Sequence, residues 1–85
     1  MFIKLHKADL NLLKEELSPG LFNQLTLTLE RDNYLIEAST DVMINLQDEL
    51  SDLLMIKGFD EDYKPNPYGN RLESIIDKVT AILYD

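Results

Sequence analysis

The sequence predicts an α+β fold: helix, β-hairpin, long helix, helix, with the helices packed on one face of a small antiparallel sheet. Three observations predict it. Thr40 to Gly58 has the marks of one long central helix, Leu25 to Ala38 alternates with the period of a β-hairpin, and Tyr68 to Leu83 repeats its apolar residues at helical spacing. These runs are segregated rather than alternating, which argues against a parallel sheet.

Residues Phe2 to Lys7 have two readings. Ile3 and Leu5 alternate with Lys4 and His6, as in a short strand, or the segment leads straight into the first helix. That helix is expected to open on Asp9 and to run through LNLLKEEL, with Leu10, Leu13 and Leu17 on one stripe. Ser18-Pro19-Gly20 is expected to end it, because Pro cannot continue a helix and Gly turns the chain.

The hairpin follows. Leu25, Leu27 and Leu29 alternate with Thr26, Thr28 and Glu30, the pattern of a half-buried strand. Arg31-Asp32-Asn33 supplies the turn, with Asn33 the expected residue at positive φ. Tyr34, Ile36 and Ala38 then alternate with Leu35, Glu37 and Ser39 in the second strand. Two strands alone are marginal in water. A third strand is called for, from residues 2–6 or from a second copy of the chain.

In the central helix Thr40 is the expected N-cap, and Lys57 and Gly58 are the stop signals. Val42, Met43, Leu46, Leu50, Leu53 and Leu54 make a core-facing stripe. Ile44 and Met55 project from the other side, in line with Asp48 and Ser51. Either another segment covers them or they are an exposed recognition patch. The last helix is expected to open at Pro67 after the cap Asn66, or at Asn70 with Glu73 in a capping box.

Eighty-five residues make one domain, residues 1–85, with one modest core. The absence of Cys excludes disulfides and thiolate chemistry, and with no leader or membrane-length apolar run the expected location is the cytoplasm. His6 is the sole histidine and has no partner for a metal site. DEDYKPNPYGNR starts like a calcium loop, but Lys64, Pro65 and Arg71 stand where the loop needs an oxygen ligand, Gly and Glu. No base–nucleophile pair or phosphate loop is visible, so neither an enzyme nor a metal or cofactor is expected.

The net charge of −8 argues against direct nucleic-acid or anionic-membrane binding and permits a basic protein partner. From Asp48 to Asp62 there are six acids (Asp48, Glu49, Asp52, Asp60, Glu61 and Asp62) against the single base Lys57. A cluster that repels itself gains when a cation neutralises it, and Tyr63 beside it is a common interface anchor. The same residues also fit a solvated face. Acids with tyrosines resemble, in surface chemistry, the working face of inhibitor and immunity proteins that plug basic sites. The expectation is therefore a non-enzymatic binding module that neutralises a basic protein, in the manner of an inhibitor, immunity protein or antitoxin. Its contacts would be the six acids with Tyr63, Ile44 and Met55. The alternative is an assembly domain that forms homo-oligomers through the hairpin edge or the Ile44–Met55 patch.

Overall fold

A computed structural model of the chain describes residues 1–84. The elements in order are β1 (Phe2–His6), α1 (Lys7–Glu16), α2 (Pro19–Phe22), β2 (Thr26–Glu30), β3 (Asn33–Glu37), α3 (Thr40–Lys57) and α4 (Pro67–Leu83). The sheet is antiparallel in the order β1-β3-β2. The third strand that the hairpin needs is thus residues 2–6. Ile3 and Leu5 face the core opposite Ile36 and Tyr34.

β1 runs into α1 without a connecting residue. His6, not Asp9, is therefore the N-cap, and its Nδ1 accepts from the Ala8 N–H at 3.2 Å. Asp9 sits in the first turn and pairs with Arg71 of α4 at 3.1 Å. Pro19-Gly20 does more than end α1: with Pro19 at its first position the chain makes the short helix α2, which buries Leu21.

The two residues Arg31 and Asp32 link β2 to β3, and Arg31 takes the positive φ, 50°. It does so because it is the first linking residue, where tight hairpin turns require positive φ; Asn33 already belongs to the ladder. Ser39 rather than Thr40 caps α3, its Oγ accepting from the Val42 N–H at 3.3 Å.

Helices α3 and α4 form an antiparallel hairpin. Gln47 Nε2 donates to Thr80 Oγ1 at 2.6 Å at one end, and Gly58 meets Gly69 at the other. Gly58 closes α3 as expected of a stop signal, with φ −85° in the right-handed region. Its neighbour Gly69 must lack a Cβ, because a Cβ there would collide with the Gly58 carbonyl. Asn66 caps α4, accepting from the Gly69 N–H at 2.7 Å, with Pro67 in the first turn. The core lies between this helix pair, α1 and the sheet. Its fully enclosed members are Leu5, Leu13, Ile36, Met43, Leu46, Leu50, Leu72, Ile75 and Val79.

The helices pack on β1 and β3, and β2 overhangs them. Leu25, just before β2, is buried, but Leu27 and Leu29 are 38% and 63% exposed, and every residue of β2 is open to solvent. The half-buried strand expected here is corrected by its edge position: its apolar face points to the core side of the sheet, beyond the reach of the helix layer.

Candidate functional site

The acidic residues singled out by the sequence divide into two groups. Glu49 and Asp60 hold the fold together. The Glu49 carboxylate accepts from the Ser18 N–H at 3.0 Å and from the Ser18 hydroxyl at 2.9 Å, and so fixes the chain where it enters α2. Ser18 makes no side-chain cap of its own. Asp60 Oδ1 accepts from the N–H groups of Asp62 and Lys64 at 2.9 and 3.0 Å.

The second group, Asp48, Asp52, Glu61 and Asp62, is exposed and enters none of the ion pairs among the described residues. Lys57, the one base of the cluster, turns away to Glu16 at 3.1 Å. The carboxylates after it are therefore not paired with it.

The loop after α3 has a defined shape. Phe59 and Pro65 form an isolated antiparallel bridge, Asp60 N–H donates to the Lys64 carbonyl at 2.9 Å, and Tyr63 N–H donates to the Asp60 carbonyl at 3.0 Å. A small hairpin results, with Tyr63 at its left-handed position, φ 60°. Glycine normally stands at such a position, since a side chain there costs about 1 kcal/mol. Tyr63 is 87% exposed.

Met55 and Phe59 lie beside Tyr63, and with Asp60 they line an open, largely apolar depression of about 400 Å³. Met55 and its neighbour Ile56 are each 76% exposed. Sequence reasoning passed over Ile56 because it stands next to the core stripe in the helical projection. Ile44 is also exposed, but it lies eleven residues before Met55, about 16 Å along the helix axis. The Ile44–Met55 patch is two separate places, and only Met55 lies against the loop. The candidate site is thus the tip of α3 and the turn after it: Met55, Ile56, Phe59 and Tyr63 with the free acids Asp52, Glu61 and Asp62.

Elsewhere, the Tyr68 hydroxyl is buried without a hydrogen-bond partner, above a surface depression lined by Glu16 and Arg71. Burial, and then the Glu16 carboxylate, raises its pKa above the usual tyrosine value. Among the described residues no helix is long and apolar enough to cross a membrane, and no group of three or more His, Asp or Glu could hold a metal ion. Comparison with protein families, curated proteins and solved structures finds no match.

Proposed function

We propose that the chain is a small acidic protein-binding module, without catalytic chemistry, that grips a basic partner protein through the tip of α3 and the turn after it. The mode of action would be that of an inhibitor, immunity protein or antitoxin. One observation carries this reading. Tyr63 occupies a glycine position at a cost in backbone energy and makes no compensating burial, being 87% exposed. Strain held by an exposed aromatic serves contact with something outside the chain. Exposed Met55 beside it, with exposed Ile56 next to Met55 in α3, supplies an adaptable apolar surface, and the unpaired Asp52, Glu61 and Asp62 set the sign of the partner.

The test is capture of partners from the native host by the intact chain, by Tyr63→Gly and by Asp62→Lys, at low salt and at about 0.5 M salt, where screening reaches about 4 Å. Wild type is expected to recover one basic protein, less of it at high salt. Both variants should lose it, although Tyr63→Gly relieves strain and keeps the fold. Equal recovery by all three proteins, or recovery indifferent to salt, would remove the reading.

A further inference from the structure

The leucines that the hairpin leaves in solvent lie where the sheet is unfinished. Met1 and Ala38 exchange both backbone bonds: the Met1 nitrogen donates to the Ala38 carbonyl at 3.1 Å, and the Ala38 N–H donates to the Met1 carbonyl at 3.0 Å. Bonded and non-bonded pairs alternate along an antiparallel ladder. Ala38, Ile36 and Tyr34 therefore turn their backbone groups to β1, and Glu37, Leu35 and Asn33 turn theirs to β2, where they meet Thr26, Thr28 and Glu30. The N–H and C=O groups of Leu27 and Leu29 are left pointing off the sheet. The two residues with unpaired backbone are the two with exposed leucine side chains.

The opposite edge is guarded. Lys78 Nζ donates to the Lys4 carbonyl at 3.3 Å, and β1 carries Lys4 and His6. On β2 there is no Lys, Pro or bulge, the usual protections of a free edge. Its one charge, Glu30, is already paired with Lys4 at 3.5 Å, so this edge offers nothing to the cationic partner proposed for the other end of the molecule.

We infer that a second copy of the chain docks here, β2 against β2, antiparallel about a two-fold axis at Thr28. The strand is complementary to itself in this register. Leu27 faces Leu29 of the second copy through the outward backbone groups of both, and the reverse pair closes the ladder. Thr28 meets Thr28 on the outer face, a favourable cross-strand pair. Each Glu30 faces a Thr26, and the two carboxylates stand about 14 Å apart along the strands, beyond the ~8 Å screening length. Because the axis is perpendicular to the sheet, the two overhangs share one side, and the four leucines form a floor between the two helix layers. The product is a continuous six-stranded sheet.

The test is sedimentation of the intact chain from micromolar to millimolar concentration, with amide hydrogen exchange at both ends of the range. A monomer–dimer equilibrium is expected, with the Leu27 and Leu29 amides exchanging about tenfold more slowly in the concentrated sample. Leu29→Pro removes only an outward N–H, and Leu29→Lys places a charge on the floor; each should weaken the dimer at least about tenfold. Met55→Lys should dimerise as the wild type does. A chain that stays monomeric throughout, including one whose edge is protected only by a strand of another protein, would overturn the inference. So would a dimer that Leu29→Lys leaves intact. If the variants fail to fold, unchanged exchange at Leu27 and Leu29 in the wild-type dimer decides against it.

Discussion

Gly69 sits directly over the carbonyl of Gly58, so close that no side-chain carbon fits between α4 and the end of α3. The contact is backbone against backbone, with Asn66 N–H donating to the same Gly58 carbonyl at 2.9 Å. Neither wall can rotate aside as a side chain would. Gly69→Ala is expected to cost about 3 kcal/mol, the upper range for overpacking. Urea denaturation checks this, and a loss under about 1 kcal/mol would mean that the helix ends separate freely.

The Glu49 carboxylate ties α3 to residue Ser18, 31 positions earlier in the chain. Both bonds are charge-assisted but open to solvent, so Glu49→Ala should cost about 1–2 kcal/mol. Ser18→Ala removes one of the two bonds. A double-mutant cycle should give a coupling of about 0.5–1 kcal/mol, and additive losses would show that the two residues act separately.

Asp60 and Asp62 are near neighbours with different work. Asp60→Ala frees two N–H groups of the turn and should cost about 1 kcal/mol, with faster amide exchange at Asp62 and Lys64. Asp62→Ala should change stability by less than about 0.5 kcal/mol, because its side chain holds nothing within the chain. Partner binding, if it follows the proposal, should fall with Asp62→Ala at unchanged melting temperature.

Tyr68→Phe should change stability at neutral pH by less than about 1 kcal/mol, because it deletes a buried hydroxyl with no partner at hydrogen-bond distance but also its attraction to the nearby Glu16 carboxylate. The hydroxyl also sets an alkaline limit. Its pKa is raised in the folded state above the ordinary value of 10.0. Above that ordinary value the unfolded chain loses this proton first, so the folded state binds more protons. Stability from the neutral phenol is complete below pH 10.0 and is lost as pH rises through the folded value. Thermal melts across this window should fall more steeply for the wild type than for Tyr68→Phe, and parallel curves would refute the assignment.

The three longer helices and the hairpin were legible because each rests on a local pattern, whereas α2 was not. The stripe from Val42 to Leu54 and the Asn66-Pro67 start of α4 need no knowledge of the rest of the chain. What distant contacts decide was not legible. The alternation of Leu25, Leu27 and Leu29 tells which way the side chains point, but only the placement of the helices tells whether anything covers them. Glu49 looked like its neighbours Asp48 and Asp52, since nothing within reach in sequence announces Ser18 as its partner. The candidate site was read from composition as one acidic run, whereas hydrogen bonding splits it into two carboxylates that brace the fold and four that stay free. The strain at Tyr63 had no sequence signal beyond an aromatic in a turn where glycine is usual.

The strand order also has a consequence in time. β1 is made first, yet its only partner is β3, roughly 30 residues later in the chain. At ordinary rates of synthesis that gap lasts on the order of a few seconds. β2 waits only for a two-residue link, because it pairs with the strand that follows it. Throughout the interval Ile3 and Leu5 have no sheet to join, and α1 is the one neighbour already made that can shelter them. Both of the other strands are hydrogen-bonded to β3 alone, so neither β1 nor β2 has its ladder until β3 is made.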